Sequence, residues 1–276
     1  NRVNKSTGVN TNNGGLNAPN IFALSNAQNL TASQFISERE VNSLYGFGNL
    51  GFKNALFVDL TYRSDWSSTL PVENNRYDYY SAGLSAVISD FITMPSFIDF
   101  LKLRGSLAEV GNDTNPYSLE RLANLESGGF ISLQTTAPAS DLGPEKTTSF
   151  ELGFDTTFFN QRVNLDFTYY KSNSIDQLFR QDVPQASGVT SKFINGGDIQ
   201  NEGIEAVLSM GLLTNTDFKW DVTFNYATNR SEVIRLAEGL DALSYGGDFM
   251  RRYQLDVGMP WGSIYSRGFE RDAQGR

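Results

Sequence analysis

Five carboxylates, Asp59, Glu151, Asp155, Asp166 and Asp221, occupy polar positions of alternating segments, where two of them could act as acid and base in glycoside hydrolysis. That chemistry needs two carboxyl groups held across one bond, and nothing in the spacing sets two of these together. A solvated polar face accounts for them more simply. The chain contains no Cys and no His, which removes thiol nucleophiles, Ser-His triads, imidazole bases and the usual zinc ligand sets. Two oxygen-rich runs, Gly111-Asn112-Asp113-Thr114-Asn115 and Glu270-Arg271-Asp272-Ala273-Gln274-Gly275, could ligate calcium, but neither follows the EF-hand spacing and turn chemistry explains both. Gly128-Gly129 and Gly196-Gly197 precede no helical pattern that could cradle a phosphate. No catalytic residue, metal site or cofactor is expected, and the chain is read as a non-enzyme.

Rings remain as candidates for contact. Trp66, Tyr117, Phe130, Trp261 and Tyr265 lie in or beside long polar segments, where they could stack on a sugar ring or a partner side chain; packing within the loops is the simpler alternative. Charge narrows the partners: 22 Lys+Arg against 31 Asp+Glu leave −9 over 276 residues, the opposite of a nucleic-acid footprint. With 13% aromatic residues, 25 Gly and only 19% charged residues, the composition is of β type. No apolar run approaches the roughly 18 residues of a membrane helix, so a membrane location would have to be that of a β-barrel. Absence of Cys is compatible with an extracytoplasmic chain that uses no disulfides.

The elements that would position these residues are strands. Leu56, Val58, Leu60 and Tyr62 alternate with Phe57, Asp59, Thr61 and Arg63, and the same two-residue period recurs over 80–88, 150–158, 163–170 and 218–227. Weaker alternation marks 44–52, 101–109 and 202–211, which makes about eight strands, with a ninth possible over 261–269. Residues 1–42 show little period and read as a loop-rich segment before the first clear strand. Connections at Lys53-Asn54, Asn160-Gln161 and 213–217 are hairpin-sized, a medium one carries Pro95, and those over 64–78, 110–146, 173–200 and beyond 228 are long. Antiparallel strands reverse direction, so the long connections share one end, as in outer-membrane barrels with long external loops and short periplasmic turns. Tyr62, Trp66, Tyr79, Tyr80, Phe158, Phe159, Tyr169, Tyr170, Phe218 and Trp220 gather near strand ends, as an interfacial girdle would. The pattern predicts Leu84, Leu165 and Val222 on the lipid face and Ser85, Asp166 and Thr223 on the lumenal face.

Several segments carry a resemblance. Leu44-Tyr45-Gly46, Asp65-Trp66-Ser67-Ser68-Thr69-Leu70, Leu101-Lys102-Leu103-Arg104 with Gly111-Asn112-Asp113, Pro144-Glu145-Lys146-Thr147, Asn195-Gly196-Gly197-Asp198, Asn201-Glu202-Gly203-Ile204-Glu205 and Gly262-Ser263-Ile264-Tyr265 follow one another as in a known family. On these segments, residues 43–276 resemble the SusC/RagA family of TonB-dependent outer-membrane transporters. The Pro-Glu-Lys-Thr and Asn-x-Gly-Ile-Glu segments are common to TonB-dependent receptors at large, whereas the Asp-Trp-Ser-Ser-x-Leu and Leu-Lys-Leu-Arg to Gly-Asn-Asp segments are specific to this branch.

The resemblance implies an importer of oligosaccharides or peptides, built as a plugged barrel of about twenty-two strands, capped by a SusD-like surface lipoprotein and energised through the TonB complex. Its location would be the cell outer membrane, in contact with lipid. No signal peptide, TonB box, plug or terminal aromatic strand of the family is recognisable, so 43–276 is expected to be a mid-barrel section of about eight or nine strands. The alternative from another class is a secreted soluble β-rich module for carbohydrate binding or adhesion.

Overall fold

The computed structural model describes residues 2–10, 15–21, 23–26, 28, 31–125, 129–139, 141–214 and 217–268. Along the chain come β1 (Arg2–Asn10), β2 (Thr31–Arg39), β3 (Val41–Phe52), β4 (Leu56–Ser67), β5 (Arg76–Val87) and β6 (Ile98–Asn112). Then follow β7 (Ala123–Leu125), β8 (Ile131–Leu133), β9 (Thr136–Ala137), β10 (Glu145–Phe158), β11 (Val163–Ile175), β12 (Leu178–Asp182) and β13 (Ser191–Asn195). The last are β14 (Asp198–Thr214), β15 (Lys219–Arg235), β16 (Ala242–Gly247), β17 (Arg251–Asp256) and β18 (Ser263–Ser266).

Eight of these form one antiparallel meander in the order β15-β14-β11-β10-β6-β5-β4-β3, which is the set of strands that the alternation predicts. Cross-strand partners share a face, so the register sorts the side chains. Leu50, Val58 and Leu84 are successive partners, as are Leu101, Thr156, Leu165, Leu208 and Phe224, and Val163, Met210 and Val222. All stand on one apolar face. On the other face Phe57, Ser85, Arg104, Gly153, Thr168 and Glu205 follow one another, as do Lys102, Asp155 and Asp166. The two expected sets, Leu84 with Leu165 and Val222, and Ser85 with Asp166 and Thr223, lie on these opposite faces.

The short connections are tight. Lys53 and Asn54 both take positive φ, and Ala55 N donates to Phe52 O at 3.1 Å, which is the geometry that matches strand twist in a close hairpin. Phe159, Asn160 and Gln161 do the same between β10 and β11. At the other end the strands run further than the period shows: the long connections shrink to 68–75, 113–144 and 176–197. Pairing continues there after the alternation stops, because these strand ends pack against the long connections, which bury Ser64, Asp65, Ser67, Tyr77 and Ile199 without regard to a two-residue period.

Three expectations change. Residues 1–42 are not all loop: β1 and β2 pair over nine positions, from Arg2 with Arg39 to Asn10 with Thr31, and β2 leads into β3 after Glu40. The ninth strand, β18, does not join the large sheet but pairs with β17 in a three-stranded sheet of β16, β17 and β18. Within the girdle, Tyr62, Trp66, Tyr80, Phe158 and Tyr169 are on the apolar face, whereas Tyr79 is paired with Arg63 and Tyr170 with Glu151 on the polar one. The oxygen-rich run at 270–275, read as turn chemistry, and residue Gly128 lie outside the described residues.

The buried apolar clusters sit where the long connections pack against the ends of β5, β14 and β15. Phe179, Ile199, Val233, Leu236, Leu243 and Leu255 form one, and Leu70, Tyr77, Ala139 and Leu142 the other, with Leu178 and Phe193 packed against it. Neighbouring residues of β12, Leu178 and Phe179, reach one cluster each. The loop ends therefore make a packed layer at the mouth end of the sheet.

Candidate functional site

On the polar face, Arg104 of β6 reaches across β10 to β11. Its guanidinium donates to Asp155, to Asp166 Oδ1 at 2.8 Å and to Thr168 Oγ1 at 2.6 Å, while Lys102 Nζ lies 3.6 Å from Asp155. Space for this comes from Gly153, Arg104's cross-strand partner, where a Cβ would stand 2.9 Å from Arg104 Nε and 2.7 Å from Phe167 O. Asp155 and Asp166 are themselves direct cross-strand partners. Two carboxylates are thus set together after all, contrary to the reading from spacing, but they share one arginine instead of facing each other across an open gap. The signal was present in the sequence: both aspartates are equally far from the Asn160-Gln161 turn, so closing that hairpin brings them opposite. Asp59 is likewise held, by Asn49.

At the mouth end, several of the segments that carry the family resemblance meet. Asp113 accepts hydrogen bonds from Ser67 Oγ, from Thr69 Oγ1 at 3.1 Å and from the Arg39 guanidinium, and its side chain is 2% exposed. The Asp-Trp-Ser-Ser-Thr and Gly-Asn-Asp segments are therefore two halves of one cluster, and Arg39 ties the base of the β1–β2 hairpin to it. Glu145 of the Pro-Glu-Lys-Thr segment accepts from Leu178 N at 2.6 Å, and Asn195 binds Gly143 N, Gly143 O and Asp176 O. In Asn201-Glu202-Gly203-Ile204-Glu205, Gly203 leaves room for Tyr170, whose hydroxyl donates to Asn229 at 3.1 Å. These residues anchor loops to strand ends. Asp113, Ser67 and Asn195 are the ones that reading residue types in isolation passes over, since each has an ordinary polar loop explanation until its distant partner is known.

The five candidate rings do not form one site. Trp66 stands on the apolar face at a strand end, with Arg76 5.4 Å from its ring centroid. Tyr117, at φ 66°, accepts a hydrogen bond from Glu38 N at 3.1 Å and lines a groove of about 600 Å³ with Arg180 and Phe193. Phe130 is 74% exposed beside β8. Trp261 lies against Tyr245 at 5.9 Å and Phe179 at 6.0 Å, and Tyr245 is the extra residue of a bulge between Ser244 and Gly246. Tyr265 donates its hydroxyl to Asp256, whose carboxylate pushes the phenol up from its ordinary value. Among the described residues no group of three or more Asp and Glu is placed to hold a metal ion.

A family model described as TonB dependent receptor-like, beta-barrel matches residues 2–271. A protein named TonB-dependent receptor P3 from Formosa agariphila is 30% identical over 265 residues, covering 90% of this chain and 26% of the relative. The TonB-dependent receptor SusC of Bacteroides thetaiotaomicron is 26% identical over 226 residues, 76% of this chain and 22% of SusC. Among solved structures, a chain of the RagAB peptide transporter superimposes with a TM-score of 0.74 at 25% identity, over 88% of this chain and 28% of that one. The chain spans about a quarter of the length of these relatives.

Proposed function

The chain belongs to the TonB-dependent receptor β-barrel family, and from that membership we propose that it forms part of the wall and mouth of an outer-membrane importer of the SusC/RagA type, taking up oligosaccharides or peptides. One observation carries the reading: eight paired strands present an apolar face that no other described element covers, while their polar face holds ion pairs. A soluble binding or adhesion module would leave that whole face in water, far beyond the few hundred Å² usual for a soluble monomer. In a bilayer the same face is solvated by lipid, and every interior strand has its backbone groups paired.

In this reading residues 43–276 are barrel, and the 1–42 segment with its β1–β2 hairpin projects from the mouth. The packed loop layer faces outward, where a SusD-like surface lipoprotein would close over it, and the tight turns at 53–55 and 159–162 face the periplasm, where TonB delivers energy. Tyr117, Phe130, Trp261 and Tyr265 are the candidates for contact with substrate or lid, and Trp66 for the interfacial girdle.

The test uses the full-length protein in cells. It should sediment with the outer membrane, and uptake of its substrate should stop when a protonophore collapses the energy supply. Because these residues contain no Cys, single cysteines report sidedness: Glu120→Cys should react with an impermeant maleimide on intact cells and Gln161→Cys should not. Recovery in the soluble fraction, or the reverse labelling, would overturn the reading.

A further inference from the structure

The three-stranded β16–β18 sheet has a free end with chemistry of its own. Hydrogen bonds between Val233 N and Met259 O (2.9 Å) and between Gly258 N and Val233 O (2.8 Å) tie its 257–262 connection to the mouth end of β15. The opposite ends of its strands, around 247–251 and 265–267, therefore lie about 17 Å along the strands from that tie, the length of a strand of this size. There a pocket of about 480 Å³ is lined by Arg251, Arg252 and Arg267 together with Asp248, Phe249 and Tyr265.

The charges in it do not cancel. Asp248 accepts from Met250 N (2.9 Å), Arg251 N (2.7 Å) and the Arg251 guanidinium (2.6 and 2.9 Å), so its oxygens are filled locally. The Arg251 guanidinium first, then the two backbone N–H groups, hold its carboxyl below the usual carboxylate range. Asp256 is occupied by Tyr265 and Gln254. Arg252 and Arg267 have no carboxylate partner among the described residues, and Arg267 lies 5.3 Å from the Phe249 ring centroid. In a chain of charge −9, two guanidinium groups without a carboxylate partner among the described residues line one pocket. A planar guanidinium fork matches a carboxylate or sulfate in a bidentate geometry, and the exposed Phe249 and Met250 beside it offer an apolar face to whatever carries that anion.

We propose that this free end is an anion-binding site that takes a carboxylate or sulfate group of the chain being imported. The proposal rests on the import reading for the source of the anion. Positive charge at the mouth would raise capture of an acidic chain by steering, and the fork would orient it.

The experiment measures binding to the purified full-length protein in detergent, with tetragalacturonate and a sulfated disaccharide as anionic probes, maltotetraose as a neutral control and lipopolysaccharide as the lipid source of phosphate. At least one anionic saccharide should bind, weaken with added salt, and weaken by roughly tenfold or more in Arg252→Gln/Arg267→Gln, as loss of charged hydrogen bonds predicts. Arg252→Lys/Arg267→Lys should fall between, because charge without the fork remains, and the melting temperature should be unchanged in both variants. Equal binding by the Gln variant, no binding of either anionic saccharide, or an effect confined to lipopolysaccharide would overturn the site. Saccharide binding without protonophore-sensitive uptake in cells would instead overturn the import reading and leave the anion site standing.

Discussion

In the large sheet, Leu84 is 53% exposed and Leu60 48%, although both are central in well-paired strands; in the loop layer above, Leu142 is 1% exposed and Leu236 3%. The same residue class thus sits uncovered where backbone pairing is most regular and fully buried where it is least regular. The physical reason is the solvent on each side. On the proposed outer-membrane reading, lipid tails are as apolar as leucine, so the sheet has no need to cover its apolar face, and its order comes from ladder hydrogen bonds that lipid cannot replace. The loops stand in water and must build cores, as a small soluble domain does.

Truncation should therefore separate the two regions most. Leu142→Ala opens a cavity among Leu70, Tyr77 and Ala139 and is expected to cost about 2 to 5 kcal/mol, whereas Leu84→Ala, on whose site lipid can close, should cost about 1 kcal/mol or less. Denaturant unfolding of the full-length protein in bilayers, with a fluorescent label in each region, would read both; similar costs would remove the distinction. Charge should invert the order. Leu84→Arg at mid-bilayer is expected to cost about 2 to 4 kcal/mol and Ser85→Arg, on the polar face, far less; equal losses would overturn the assignment of faces.

The smallest expected effect concerns the junction of the two regions. Asp113→Ala leaves Ser67, Thr69 and Arg39 without their shared acceptor, for about 1 to 3 kcal/mol, most of it confined to the loops. Hydrogen exchange should show faster opening of 113–144 and of the β1–β2 hairpin, with β10 and β11 unaffected. Uniform acceleration across the sheet would mean that the loop layer and the sheet open as one unit.

Legibility followed the same boundary. Leu56 to Tyr62, Phe150 to Phe158 and Phe218 to Tyr226 are readable because each strand separates two different solvents, which writes a two-residue period into the chain. The β1–β2 hairpin and the small sheets of β7–β8, β9–β12–β13 and β16–β18 carry no such period, being short or lacking alternation in residue type. Length alternation of the connections, turn chemistry at Lys53-Asn54 and Asn160-Gln161, and the absence of His and Cys were likewise available from residue order alone.

Sequence alone thus determined the eight strands of the large sheet, its two faces, the end at which long connections gather and the family, because all of these rest on local period or on residues adjacent in the chain. Tertiary structure alone decided that Asp113 meets Ser67 and Arg39, that Arg104 joins Asp155 to Asp166, that the candidate rings separate into different places, and that Arg252 and Arg267 share one pocket. Those contacts join residues from different strands and loops, and their geometry is set by register, by the room that Gly153 leaves and by how the loops pack, none of which leaves a periodic trace in the order of residues.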